Sequence, residues 1–365
     1  MGATASTAPT HRAEFGVLER RLLNDYQQLL PLEPRPFARM AEALGSSDGA
    51  VLAALERLQE RGAISRVGPV FRPHAVGTST LAAMAVPADR LESVAALVSG
   101  FPEVNHNYER EHHFNLWFVA TAADPDQLHA TLRSIEQRSG LPVMSLPMEE
   151  AYHLNLGFRL DWGERNGTQP PDHGVRRTRH TARPAPAGCG IRSAADQRLV
   201  AAIQGGLPLV SRPYAAAGEQ AGLNEGQVID RLRSWLDEGV LSRLGVVVHH
   251  RRLGYRANAM VVWDVPESEV DALGACLGGY DFVNLCYRRP RRPPRWHYNL
   301  FCMIHGRDRE VVRQRVARVV AECGLEGIPH ELLFSRRRFK QRGARYVGGG
   351  SAARPAITVA GAGVS

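Results

Sequence analysis

Asn105 to Val119 reads N-H-N-Y-E-R-E-H-H-F-N-L-W-F-V, and a related run, N-L-C-Y-R-R-P-R-R-P-P-R-W-H-Y-N-L-F-C-M, returns at Asn284 to Met303. Each gathers imidazole, guanidinium, phenol and amide groups into a short span. Such a set is suited to delivering a proton and to gripping a carboxylate. Each run also predicts two extended segments around a polar interruption. Period-two alternation along the second segment puts Phe114, Leu116 and Phe118 on one face and His113, Asn115 and Trp117 on the other. It likewise separates Tyr298, Leu300 and Cys302 from His297, Asn299 and Phe301. One face would serve a core, and the other would carry a histidine, an asparagine and an aromatic.

Imidazole is the side chain best matched to acid chemistry near neutral pH. His106, His113 and His297 stand inside the two runs and are the candidate proton donors. His112, at the expected turn, and His153, outside the runs, are weaker ones. Tyr108 and its counterpart Tyr287 could hydrogen-bond a carboxylate. Arg110, Arg288, Arg289, Arg291, Arg292 and Arg295 lie in the runs, and Arg336, Arg337, Arg338, Lys340 and Arg342 follow near the C-terminal end. Guanidinium forks pair carboxylates bidentately, so these cations form a candidate substrate-binding set. Where the first run has His106 the second has Leu285, so the two are not chemically equivalent.

The elements that must position these residues are written twice. Setting residue n against n+177 aligns Leu30–Thr78 with Leu207–Tyr255 without a gap and gives 17 identities over 49 positions. Unrelated sequences would share only about 3. The offset grows to 179 at Val104/Val283 and 184 at His113/His297, which places a five-residue insertion of Pro and Arg in the second hairpin. A period this long is a domain duplication rather than a solenoid.

Each copy divides in two. The first part reads as a helix ending near Leu30, a second starting at Pro36 in a favourable N1 position, and a third over Ser47 to Arg61 closed by Gly62. With the strand-like I-S-R-V-G-P-V-F that follows, this is a winged helix-turn-helix pattern. The second part alternates strand (Leu81–Val86), helix (Arg90–Val98), strand (Val104–Tyr108), strand (Phe114–Ala120), helix (Pro125–Gln137) and strand (Val143–Leu146). That β-α-β-β-α-β order is ferredoxin-like, with one sheet face open unless something covers it. The expected fold is α+β, a tandem duplication of winged helix-turn-helix plus ferredoxin-like domain. The expected units are 14–75 and 191–252 for the helical parts, 76–162 and 253–346 for the ferredoxin-like parts, a linker at 163–190 and a disordered tail at 347–365.

Composition narrows the function classes. A formal net charge of +8 is concentrated in arginine clusters, which predicts an anionic partner, either a nucleic acid or a polycarboxylate. No apolar run approaches the length of a membrane span, and the polar first dozen residues argue against a secretory signal, so a cytoplasmic location is expected. Five cysteines with no C-x-x-C spacing suggest neither a zinc site nor a disulfide framework, and read as buried thiols or bystanders. No phosphate-binding or dinucleotide-binding glycine motif is present. The third helix of each copy offers little to a DNA duplex. Ser47, Asp48, Gly49, Ala50, Ala53 and Ala54 open the first, and Asn224, Glu225, Gln227, Asp230 and Arg231 the second, so DNA binding is disfavoured.

The helical and ferredoxin-like order looks like the Lrp/AsnC regulators. The residues say more. H-N-Y-x-R-x-x-H-x-N-L-W-F in the first run, C-Y-R-R-P followed by W-H-Y-N-L-F in the second, Leu333 to Arg345 (L-F-S-R-R-R-F-K-Q-R-G-A-R) and Tyr152 to Phe158 (Y-H-L-N-L-G-F) closely resemble the siroheme decarboxylases. The resemblance covers nearly the whole chain outside the linker and tails. It implies a fused pair of homologous subunits serving heme d1 synthesis, which would convert siroheme to 12,18-didecarboxysiroheme with release of two carbon dioxide molecules. It ranks His106 and His113 ahead of His297, since those two fall on the motif. One of these histidines could instead be an axial ligand to the siroheme iron, and the residues leave the two roles open. No cofactor beyond the iron-containing substrate is implied. Self-association and contacts with other heme d1 pathway proteins are expected partners. The competing readings are a heme-responsive regulator and a non-catalytic tetrapyrrole carrier.

Overall fold

The structure is a computed structural model that describes residues 15–72, 75–154, 191, 193–248, 257–280 and 282–346. The expected linker, 163–190, and tail, 347–365, lie outside these residues. Copy one consists of helices α1 (Val17–Asp25), α2 (Pro36–Leu44) and α3 (Asp48–Glu60), then β1 (Ile64–Phe71), β2 (Thr78–Met84), α4 (Leu91–Gly100), β3 (Val104–Arg110), β4 (Leu116–Ala122), α5 (Pro125–Ser139), β5 (Met144–Pro147) and β6 (Glu150–Leu154). Copy two repeats the order as α6 (Ala194–Ile203), α7 (Pro213–Ala221), α8 (Glu225–Asp237), β7 (Leu241–Val248), β8 (Ala257–Trp263), α9 (Val270–Gly278), β9 (Val283–Arg288), β10 (Leu300–Gly306), α10 (Arg309–Cys323) and β11 (His330–Gln341). The tandem α+β architecture follows. Among the described residues, no helix is long and apolar enough to cross a membrane.

Local signals set the helices. Pro36 and Pro213 open α2 and α7, where a missing N–H costs nothing, and Gly45 and Gly222 close them in the left-handed conformation. Ser47 and Asn224 cap α3 and α8 by accepting the N–H of Ala50 and Gln227. The six helices share one core, with Leu22, Phe37, Leu55, Leu199, Tyr214 and Trp235 buried together. β1 and β7 pair antiparallel across it, with Gly68 facing Gly245. A Cβ on Gly245 would lie 2.4 Å from the Gln27 carbonyl oxygen, and one on Gly68 would lie 2.9 Å from the Gly206 Cα. Close backbone approach therefore explains why both copies keep glycine there.

In the other layer nine strands form one sheet in the order β5-β2-β4-β3-β11-β8-β10-β9-β6. Two crossings build it. His330–Phe334 of β11 pairs with β8 of its own copy, and Ser335–Gln341 then pairs with β3 of the other. Likewise β5 pairs with β2, and β6, beginning three residues on, pairs with β9 of copy two. The two ferredoxin-like units thus exchange the ends of their last strands, and each covers the sheet face the other would leave open. Phe114, Trp117, Met144 and Leu146 from copy one meet Met260, Val262, Trp296, Phe301 and Leu333 from copy two in a separate buried core. Burying each large apolar side chain there contributes roughly 1.5–3 kcal/mol.

Two expectations need correction. Leu116, Phe118 and Ala120 do face the helices, but Phe114 and Tyr298 pack with Trp117 and Trp296 in the core between the two halves of the sheet. Both precede the first residue of their strands, in the turn, where strict alternation does not apply. The face expected to carry histidine, asparagine and aromatic is therefore largely a buried seam. The cysteines are not all free thiols. Cys276 of α9 and Cys323 of α10 form a disulfide, with Cα atoms 6.0 Å apart, while Cys286 and Cys302 are buried thiols. A separation of 47 residues carries no local signal, and the packing of the two helices side by side brings the pair together.

Candidate active site

Alternation along β3 sorts its side chains. Asn107 points to the helices, donating to Ala95 O and Ser99 Oγ of α4 at 3.1 Å each, and Glu109 on that side accepts from Arg337 at 2.5 Å. His106, Tyr108 and Arg110 therefore line the opposite face, toward copy two. The His106 and Tyr108 rings lie nearly parallel with centroids 6.2 Å apart, and the Arg110 guanidinium sits 5.9 Å over Tyr108. Directly paired residues share a face, so Val119 and Trp117, opposite His106 and Tyr108 on β4, form the apolar floor.

The neighbour on the other side is the exchanged end of β11. Arg338 pairs with Tyr108, and Gln341 with His106. An irregularity between Arg338 and Lys340 sends Lys340 back to the helix side, where its Nζ donates to Ser99 O at 2.5 Å and Phe101 O at 2.9 Å. That bulge leaves Arg338 and Gln341 together on the His106 face, with Arg338 Nη1 donating to Gln341 Oε1 at 2.8 Å. A histidine, a phenol, a guanidinium and an amide thus converge above Trp117. The first two come from copy one and the last two from copy two. Gln341 escaped sequence reading because only strand register places it, although it lies within the motif from Leu333 to Arg345.

The hairpin ends are built to hold the copies together. Arg110 Nη1 donates to Leu333 O at 3.0 Å, and its counterpart Arg289 donates to Leu146 O at 2.5 Å, each reaching the closing strand of the other copy. Arg289 also sits 5.1 Å over Tyr287, and burial pulls its pKa down to about 10, which leaves it charged at neutral pH. Asn115 brackets the backbone of Val86 at 2.9 and 2.8 Å, and Asn299 brackets Val265 at 3.0 Å on both sides. These two amides are structural. His112 accepts the Phe114 N–H on Nδ1 at 2.9 Å, so its proton is on Nε2, 3.0 Å from Glu331. Burial lowers the His112 pKa. Glu331 also accepts from Tyr298 at 2.8 Å, and burial with that bond pushes the phenol up to about 12. Sequence reading also missed Glu331, which no local pattern marks.

The predicted histidines do not all meet. His113 and His297 are exposed at corresponding hairpin ends, whereas His106 lies at the far end of β3. The four steps from His106 to Arg110 alone span about 13 Å. Nor are the predicted cations equally available. Arg288 is held by Glu149 at 3.2 Å and Glu267 at 2.5 Å, and Arg291 by Asp264 at 2.6 Å. Arg336 is held by Glu111 at 3.3 Å, and Arg337 by Glu109 at 2.5 Å and by Glu92. Arg292 donates to Ser145 O at 3.1 Å. Arg295 and Arg338 are exposed, and neither has a carboxylate partner among the described residues. A surface depression of about 490 Å³ lined by Phe101, Glu103, Gln127 and Arg138 contains none of the predicted site residues. Among the described residues, no group of three or more His, Cys, Asp or Glu side chains could hold a metal ion.

Comparison with known proteins agrees with both layers. The AsnC-like ligand binding domain matches residues 75–153 and 252–340, and the siroheme decarboxylase NirDL-like HTH domain matches 19–64 and 196–241. The siroheme decarboxylase NirDL subunit of Paracoccus denitrificans is 45% identical over 327 residues, covering 90% of this chain and 96% of the relative. The crystal structure of the siroheme decarboxylase NirDL superposes with a TM-score of 0.63 at 28% identity, covering 90% of this chain and 94% of that one. The same enzyme in complex with an iron-uroporphyrin III analogue gives a TM-score of 0.61 at 27% identity, covering 90% of this chain and 93% of that one. With this identity along nearly its whole length and both domain types present in duplicate, the chain belongs to the siroheme decarboxylase family.

Proposed function

We propose that this chain removes the carboxyl groups of the two acetates at ring positions 12 and 18 of siroheme, in heme d1 synthesis, at the face shared by β3 and the exchanged end of β11. The observation that carries this reading is the convergence of His106 and Tyr108 with Arg338 and Gln341 above an aromatic floor. A flat, many-times-negative ring needs an apolar surface and cations near its edge, and this face supplies both. A related enzyme has been crystallised with an iron-uroporphyrin III analogue, a ligand of the same kind.

Each decarboxylation breaks the bond between the acetate methylene and its carboxylate, and carbon dioxide departs. The electron pair left on the methylene is spread into the macrocycle, and a proton must then arrive to make a methyl group. His106 is placed to give that proton, and Tyr108, stacked on it, to hydrogen-bond the departing carboxylate. The seam of Trp117, Trp296 and Phe301 keeps water from one side of the site. His113, His297 and Arg295, at the exposed hairpin ends, are then positioned to meet peripheral carboxylates rather than the same methylene. No cofactor beyond the iron-containing substrate enters this scheme. Anaerobic incubation of the purified chain with siroheme, followed by mass spectrometry, should give a product lighter by two carbon dioxide units. Intact siroheme after prolonged incubation would refute it.

A further inference from the structure

We propose that Arg338 and Gln341 act as one clamp, holding a single carboxylate of the substrate against His106, and that this clamp exists at only one of the two matched strand pairs, β3–β11 and not β9–β6. The inference rests on the decarboxylase reading above and names how its substrate is oriented. The backbone device is present twice. β11 slips register between Arg338 and Lys340 beside β3, and β6 slips between Ala151 and His153 beside β9. The two strands match residue for residue, with Ala151 against Tyr287 where Arg338 is against Tyr108, and Leu154 against Leu285 where Gln341 is against His106. At three matched positions the β3–β11 pair therefore carries His106, Arg338 and Gln341, and the β9–β6 pair carries Leu285, Ala151 and Leu154. Tyr108 and Tyr287 are kept in both.

A bulge turns a side chain toward a purpose, and here it sets an amide beside a guanidinium. Gln341 accepts from Arg338 with its oxygen, which leaves its NH₂ group as a donor close to the guanidinium. Arg338 is exposed and has no carboxylate partner among the described residues, unlike Arg336 and Arg337 beside it. Parallel N–H donors from two side chains suit a carboxylate's two oxygens.

The test compares the full-length chain with Gln341→Glu, Gln341→Leu and Arg338→Ala, by anaerobic siroheme titration followed in the visible spectrum and by turnover. If Gln341 merely props Arg338, Gln341→Glu gives Arg338 a charged partner and siroheme binding stays at the wild-type level. The clamp requires the opposite. Gln341→Glu should keep or raise the melting temperature yet weaken siroheme binding by about tenfold or more, because two carboxylates would then compete for one guanidinium. Arg338→Ala should weaken binding by about 10–100-fold, and Gln341→Leu should fall between wild type and Gln341→Glu. Wild-type affinity in both Gln341 variants would overturn the clamp while leaving the decarboxylase reading in place. A wild-type chain that leaves siroheme intact would sink that reading itself.

Discussion

The two ferredoxin-like halves are built on one backbone plan and keep the residues that join them in step, while several residues of the proposed site differ. Arg110 and Arg289 make the same bond to the closing strand of the opposite copy, and Asn115 and Asn299 make the same pair of bonds to a β2-end or β8-end valine. Facing these constants, the residues that could touch a ligand have diverged. His106 stands against Leu285, His112 against Trp296, and Arg338 against Ala151. Duplication has thus preserved what joins the halves, and the proposed function leaves the chemistry to one face. An exchanged strand needs both halves intact to bury its seam, but a pocket needs only one chemically competent wall.

Perturbing matched positions can break or sharpen this contrast. The largest effect is expected from His106→Leu, which gives copy one the residue of copy two. Turnover of siroheme should fall by about 10²–10⁴-fold, the usual contribution of a general acid, with the chain still folded. Adding Leu285→His to that variant should not restore it, and recovered turnover would show the halves to be interchangeable. Next come the seam residues. Trp117→Ala and Trp296→Ala should each cost about 3–5 kcal/mol in denaturant unfolding, because both indoles are 1% exposed and belong to the core shared by the two halves of the sheet. A loss confined to one of them would mean that the halves do not depend on each other. Asn115→Ala and Asn299→Ala should be milder and closely matched, at about 1–3 kcal/mol each, since both strand a buried backbone N–H and C=O. A clear inequality would break the structural symmetry.

The last effect depends on pH and concerns His305, whose counterpart in copy one is Thr121. Burial, with Arg110 and Arg315 nearby, pulls its pKa down to about 4 from an ordinary 6.5. The unfolded chain therefore takes up this proton first as pH falls, and stability should decline between about pH 6.5 and 4. His305→Asn should flatten that decline in thermal melts across the same window, and an unaltered slope would remove His305 from the acid limb.

Much of this was legible in the residues themselves. Pro36 marks the start of α2 and Gly62 the end of α3, as the structure has them. The motif around His106 and Tyr108 also marked one wall of the candidate site. Phe114 and Tyr298 were misplaced because the turn before a strand escapes its alternation. Cys276 and Cys323 were unpaired on paper because helices distant in sequence bring them together. Glu331 carried no mark, and Gln341 lay in the C-terminal motif without a role, since strand register sets Gln341 beside His106 and packing brings Glu331 to His112.

By itself, then, the sequence determined the duplication, the order of elements in each copy and the loss of histidine at Leu285, because caps, periodicity and residue identity are local properties. Only the tertiary structure decided that β11 leaves its own sheet at Ser335 to lie beside β3, that the open faces close on each other, and that the candidate site draws on both copies. A strand exposes backbone donors and acceptors along both edges, and which partner satisfies them is settled by the packing of the whole chain rather than by the residues of the strand.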